Sequence, residues 1–254
     1  MKIHFLGTCA GTEPMPDCKH ASVIFEYNDA FYWFDAGEGC SYTAHNMGLD
    51  LHKTKSIFIS HTHMDHIGGL GNLLWNIRKL RYDVKKELPK YNPINLYIPN
   101  EEVGDALLNH ILAHTEGNFE CDFSIAQHGV MAGMVFSDDF VTVTAYKNNH
   151  LADGRSFTYR FQTNKNCVVY SGDVKSYHEL DEAIGDGCDA LTIETGHFKI
   201  ADVYEYTKTK NIGKIFFTHN GREILYDRAG CEEKVRKIFH GKAEIAFDGM
   251  SVNI

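Results

Sequence analysis

The segment His61-Thr62-His63-Met64-Asp65-His66 constrains this chain more than any other, because it sets four metal-capable side chains within six residues. It directly follows the apolar, β-favouring run Ser56-Ile57-Phe58-Ile59-Ser60, which reads as a buried strand. Side chains alternate in an extended segment, so His61 and His63 are expected on one side, able to grip one ion. Asp65 and His66 come where Ile67-Gly68-Gly69 should turn the chain, towards a second ion beside the first. Imidazole suits zinc, manganese or iron, and a carboxylate adds proton-handling capacity.

A site of this kind needs a fold to hold it. The 254 residues are 43% hydrophobic and 23% charged, values ordinary for a globular protein long enough to bury a sizeable core. With no linker and no repeat, residues 1–254 read as a single domain. No stretch approaches the roughly 18 apolar residues of a membrane span. The start, Met1 to Gly7, reads as a strand rather than a secretory signal, so a cytoplasmic protein without membrane partners is expected. Seven cysteines without a C-x-x-C pair fit reduced thiols. The formal net charge of −9 weighs against long nucleic acids, which are held mainly through phosphate contacts.

Apolar periodicity predicts strands at Ile3 to Leu6, Ser22 to Tyr27, Phe31 to Phe34, around Ile57, and at Ile94 to Ile98. Further strands follow at Val141 to Tyr146, Phe157 to Phe161, Cys167 to Tyr170, Ala190 to Ile193, Lys214 to Phe217 and Glu244 to Phe247. Helices are predicted over Ser41 to Met47, Leu70 to Leu80, Glu101 to Ala113, Ala201 to Thr209 and Glu232 to Phe239. The class is α/β. His114 to Gly133 is poorly patterned, with Phe119, Phe123 and Met131 among turn formers, as in a lid or a homodimer contact. Six ligand-capable residues, Asp35, His61, His150, Asp173, Glu194 and His219, each stand just beyond an apolar strand. In a layered α/β fold such strand ends collect at one rim, so one shared site is expected.

The order His61-x-His63-x-Asp65-His66, a lone His150, Asp173 in Ser-Gly-Asp and His219 in Phe-Phe-Thr-His resembles the metallo-β-lactamase superfamily. Phe-Leu-Gly-Thr-x-Ala-Gly-Thr near the start, Asp35-Ala-Gly-Glu-Gly39 and Gly69-Leu-Gly-Asn-Leu-Leu74 resemble its ribonuclease Z branch of phosphodiesterases. In length and motif set the chain is similar to the arm-less anti-Pycsar cyclic-nucleotide phosphodiesterases. The resemblance implies a four-layer αβ/βα sandwich and two divalent metal ions per chain, zinc before manganese. It implies His61, His63 and His150 on the first ion, Asp65, His66 and His219 on the second, and Asp173 bridging them. Asp65 would orient the nucleophile, and Glu194 with His197 would protonate the leaving group. In this branch those two stand farther apart, so Glu-Thr-Gly-His leaves open a plainer reading, with Glu194 capping a helix.

Asp173 follows His150 by only 23 positions, leaving no room there for the arm with which bacterial tRNA-processing relatives grip tRNA. The expectation is therefore hydrolysis of a small nucleotide, a cyclic mononucleotide first, by a cytoplasmic homodimer (host cytoplasm if phage-encoded). A tRNA 3′-processing endonuclease is the alternative, and a thioester or lactone hydrolase the second. Tyr82, Tyr91 and Phe119 are candidates for a base-stacking face.

Overall fold

The computed structural model describes residues 1–85, 87–112 and 124–254. Its strands are β1 Lys2–Gly7, β2 Ser22–Tyr27, β3 Ala30–Phe34, β4 Thr54–Phe58, β5 Ile94–Ile98, β6 Ile125–Gly129 and β7 Gly133–Ser137. Then come β8 Val141–Lys147, β9 Phe157–Thr163, β10 Cys167–Tyr170, β11 Cys188–Glu194, β12 Ile212–Thr218, β13 Ala243–Ile245 and β14 Ser251–Asn253. They form two seven-stranded mixed sheets, ordered β14-β1-β2-β3-β4-β5-β6 and β13-β12-β11-β10-β9-β8-β7. In each sheet the strands on one side pair antiparallel and those on the other parallel, changing over at β3 and at β10.

Alternation along the strands assigns the layers. Phe25, Phe34 and Phe58 of the first sheet face Tyr159, Phe161 and Tyr170 of the second in one buried core. Phe25 meets Phe161 with ring centres 5.4 Å apart, and Phe34 meets Tyr170 at 5.6 Å. Burying each such ring contributes roughly 1.5–3 kcal/mol. The alternate residues Trp33, Ile57 and Ile59 point outwards onto helices α1 (Cys40–Asn46) and α3 (Leu70–Lys79), the latter through Leu70, Leu73, Leu74 and Ile77. Between them lies the short α2, Met64–Ile67. The second sheet's outer face, with Val169, Leu191 and Phe217, is covered by α5 (Asp181–Ile184), α6 (Ile200–Thr207) and α8 (Arg228–Phe239). The short α4 (Glu101–Asp105) and α7 (Arg222–Tyr226) complete the set. The result is the four-layer sandwich.

Several elements differ from expectation. Strand β4 ends at Phe58, so His61 and His63 sit in an irregular loop rather than on the strand. The helix expected from Glu101 is α-helical only to Asp105, and Ala106–Leu112 continue it as a wider π-helical turn. Strand β6 falls in the poorly patterned region, and β7 begins at its last residue. Residues 113–123, with Phe119 and Phe123, lie outside the described residues; Met131, on the loop after β6, is exposed. The chain ends on β14, which pairs with β1, not on the Glu244 strand. Tyr91 cannot stack on a base at the site, because it precedes β5 at the opposite edge and packs on Lys55, 4.9 Å from its ring centre. Tyr82's side chain lies outside the described set.

Candidate metal centre

The parallel strands deliver the site. The chain leaves β4 into His61 and His63, β10 into Asp173, β11 directly at Glu194 and β12 into His219, all at one rim. His150 follows β8 at the same rim, and α2 contributes Asp65 and His66. His61 Nε2 lies 3.0 Å from His63 Nδ1, which lies 3.3 Å from His150 Nε2. A second group forms from Asp65 Oδ2, 3.1 Å from His219 Nε2 and 3.3 Å from His66 Nε2. Asp173 stands between them. Its Oδ2 faces His61 and His150 at 3.9 and 3.7 Å, and its Oδ1 faces His66 Nε2 and His219 Nδ1 at 3.4 Å each.

Donors about 2.1 Å from one tetrahedral ion stand about 3.4 Å apart, and the separations His61–His63, His63–His150, Asp65–His66 and His66–Asp173 scatter around that value. In addition, His66 Nε2, Asp173 Oδ1 and His219 Nδ1 are buried and make no hydrogen bond. Such atoms are costly unless a partner other than a protein group satisfies them. The donor set therefore fits cations, and its imidazoles and carboxylates suit zinc or manganese.

The charges within the cluster are mutually arranged. Burial pushes His61 far below the ordinary imidazole range, with neighbouring imidazoles adding to the effect against Asp173. Burial also opposes the charge on His219, but Asp173, Asp65 and Glu194 overcome it and raise the imidazole to about 10. His66 is likewise held well above its usual value by Asp173 and Asp35 despite complete burial. Against their own burial, Asp65 and Asp173 stay ionised far below the usual carboxylate range beside these imidazoles.

A cation must displace the protons on His66 and His219, so loading at neutral pH is expected to release about two protons per chain. Affinity at that position should then fall up to about a hundredfold for each unit the pH drops. Calorimetry in buffers of different ionisation enthalpy reads the proton count directly, and loading without release would contradict this charge assignment.

Supporting contacts fix the ligands. Asp35, fully buried after β3, accepts from Ser60 N–H at 2.6 Å, Ser60 Oγ at 2.8 Å and Tyr170 Oη at 2.6 Å, and lies 2.7 Å from His66 Nδ1. It thereby orients His66 so that Nε2 faces Asp65 and Asp173. The sequence marks Asp35 as one of six strand-end residues and as the start of the Asp-Ala-Gly-Glu-Gly motif, but gives it no role. Its role as an orienter depends on Ser60 and Tyr170, which no motif announces. Asp35→Asn is expected to weaken cation binding about 10- to 100-fold, read by competition with a chelator; unchanged affinity would show that His66 is oriented without it.

Glu194 is buried, accepting from Val174 N–H and His197 N–H, and both its oxygens lie 3.1 Å from His197 Nδ1. The plainer reading of Glu194 as a helix cap does not hold, since α6 starts only at Ile200. Gly196 allows the tight turn: a Cβ there would stand 2.6 Å from His219 Nδ1. His219 itself holds φ 47°, in the region disfavoured for side-chain-bearing residues. It is fixed there by Thr195 N–H donating to its carbonyl and Asn220 N–H to that of Thr8.

Residues 1–220 match the family model of the anti-Pycsar protein Apyc1. The chain belongs to the Apyc1 family. This Apyc1-family chain is also similar to ribonuclease Z proteins: 22% identical to that of Archaeoglobus fulgidus across the whole chain and 97% of that protein. It is 41% identical to the ribonuclease Z of Treponema pallidum, over 28% of this chain and 23% of the relative. For Methanothermobacter thermautotrophicus the figures are 28% identity, 59% and 45%. Two of these three matches thus span less than half the length of the relative.

Among solved structures, the short form of human tRNase Z superposes with a TM-score of 0.74 at 20% identity, covering 100% of this chain and 99% of that one. The metallo-β-lactamase fold protein YhfI of Bacillus subtilis gives 0.71 at 18% identity, covering 99% and 98%. A diphosphatase of the PhnP family gives 0.69 at 16%, covering 100% and 97%. The Apyc1-family chain has the metallo-β-lactamase fold. Among the described residues no helix is long and apolar enough to cross a membrane.

Proposed function

We propose that this chain is a phosphodiesterase with two metal ions, zinc before manganese, that opens cyclic mononucleotides in the cytoplasm. The observation that carries the reading is Asp173, whose two carboxylate oxygens face two separate groups of imidazoles. His61, His63 and His150 would hold one cation and Asp65, His66 and His219 the other, with Asp173 between. Bound there, the cations supply Lewis acidity towards the phosphate oxygens and the attacking water.

The remaining work falls to side chains. Asp65 turns Oδ2 towards His219 and His66, leaving Oδ1 to accept a hydrogen bond from the water and hold it in line with phosphorus. The carboxylate of Glu194 binds His197 Nδ1 and raises the imidazole against partial burial, which favours the imidazolium. Half-exposed, His197 then offers its Nε2 proton to the departing sugar oxygen. A leaving alkoxide needs such an acid more than a thiolate does, which favours a phosphodiester over a thioester.

Size favours a small substrate. Strands β9 and β10 are joined by residues 164–166 alone, so a short hairpin fills most of the interval between His150 and Asp173, with no tRNA-gripping arm. The net charge of −9 points the same way. The similarity to ribonuclease Z keeps tRNA 3′ processing as the second reading. The deciding experiment offers 3′,5′-cyclic mononucleotides, linear dinucleotides, a thioester and a precursor tRNA side by side with Zn²⁺ or Mn²⁺. Ring opening with intact tRNA is expected. Trailer cleavage without ring opening would replace this reading with the second, and thioester cleavage alone would overturn both.

A further inference from the structure

His197, the acid of the proposed reaction, stands on a loop that the metal ligands alone do not hold. Strand β11 ends at Glu194 and α6 begins at Ile200, so His197 lies in the irregular residues 195–199. Its imidazole is half-exposed and hydrogen-bonds Glu194 at 3.1 Å. The ring centres of His150 and His219 stand 5.2 and 5.9 Å from its own. Such a group serves as an acid only while the loop keeps its place, since a misplacement of about 1 Å can cost about a hundredfold in rate.

Hydrogen bonds pin both ends of the loop. Thr195 N–H donates to Thr218 O at 3.2 Å, Lys199 N–H to Asp202 Oδ2 at 2.9 Å and Ile200 N–H to Glu223 Oε2 at 3.0 Å. Between these ends lies Phe198, whose ring stacks on Tyr177 with centres 4.1 Å apart and planes 30° apart. Tyr177 stacks in turn on Tyr206 of α6 at 5.4 Å, and Tyr206 Oη donates to Asp181 Oδ1 of α5 at 2.9 Å. The aromatic stack thus ties the loop to two helices of the outer layer.

Tyr177 has a second grip on the same pair. It opens a short helical turn, Tyr177–Leu180, soon after Asp173. Its Oη donates to Glu194 O at 3.1 Å, while Val174 N–H donates to Glu194 Oε1 at 3.0 Å. The segment 173–177 therefore carries the carboxylate between the two imidazole groups and holds Glu194 by backbone and side chain together. Tyr177 is buried, whereas Phe198 is half-buried and borders a cavity of about 550 Å³ with Ser176, Asp202 and Tyr206. Without the Phe198 ring the loop has room to shift.

We propose, building on the phosphodiesterase reading, that Tyr177 and Phe198 are positioning residues that hold the His197 imidazole against the leaving oxygen. Both act through the loop and Glu194 rather than on the substrate. As the P–O bond breaks, its electron pair goes to the sugar oxygen, which takes the Nε2 proton. The imidazole is left neutral, and solvent reprotonates it. Demand for that proton depends on the leaving group: an alkoxide needs it, whereas 4-nitrophenolate departs as a stable anion. A loss confined to the alkoxide marks a displaced acid, and general damage to the site slows both.

The test compares wild type with Phe198→Ala, Phe198→Tyr and Tyr177→Phe in two ways. Hydrogen exchange without substrate, read by mass spectrometry, should rise about tenfold over residues 195–199 of Phe198→Ala while β11 and the melting temperature stay close to wild type. Turnover of a 3′,5′-cyclic mononucleotide with Zn²⁺ should fall about 100-fold at unchanged KM, with bis(4-nitrophenyl) phosphate hydrolysis within about threefold. Phe198→Tyr, which keeps a ring for the stack, should restore both readouts. Tyr177→Phe, which loses one hydroxyl, should show the same pattern at about tenfold. Phe198→Ala added to His197→Ala should slow ring opening no further than His197→Ala alone. The proposal is overturned by unchanged exchange over 195–199, by equal losses on the two substrates, or by additive losses in the double variant. A wild type inactive on both substrates would instead overturn the phosphodiester reading, and the exchange comparison would then decide the positioning alone.

Discussion

Asp65→Ala is expected to keep the fold and lower turnover at least several hundredfold. The backbone around Asp65 does not depend on its side chain. His66 and Ile67 N–H donate to His63 O, Gly68 N–H to Met64 O, and Ala36 N–H to His66 O at 2.7 Å. The carboxylate, by contrast, contacts His219 and His66 and sits at the rim where an attacking water must be held. Its loss removes a cation ligand and an orienting acceptor together, and each alone is worth one to several orders of magnitude. Melting temperature and steady-state kinetics on the same preparation separate fold from function. Turnover within a few-fold of wild type would reduce Asp65 to a residue of the α2 first turn.

Much of the site was legible because its side chains announce themselves locally. His61 to His66 form one short segment, and Asp173, Glu194 and His219 each follow or end a strongly apolar strand. The structure brings all of them, with His63, His150 and His197, to one rim. What stayed hidden depends on pairing rather than on residue type. Ile125–Gly129 and Ser251–Asn253 have little apolar pattern and become strands because β5 and β1 offer them an edge. The expectation that a strand carries His61 and His63 failed because β4 stops at Phe58, yet the loop still brings their ring nitrogens together. The role of Asp35 was illegible for a similar reason, since Ser60 reaches it from the loop after β4 and Tyr170 from β10.

Asp173→Asn carries the other large expected effect. The substitution preserves volume and one carbonyl oxygen, so packing at this nearly fully buried position changes little. It removes the charge that lies between the two imidazole groups and the second oxygen that serves the other group. After metal is stripped by a chelator, His66 and His219, held protonated largely by Asp173, lose part of that support, so the stripped variant should also melt lower than stripped wild type. Loss of the shared ligand weakens both cation positions at once, whereas loss of His63 or His150 should weaken chiefly one. Turnover should fall by at least about a thousandfold, because both cation positions are depleted together.

The most direct measurement is the metal count per chain, by inductively coupled plasma mass spectrometry, on wild-type and Asp173→Asn protein from metal-replete medium. The account predicts about two divalent ions in the wild type and fewer than one in the variant. A wild-type protein without bound metal, or a variant that keeps both ions, would contradict it.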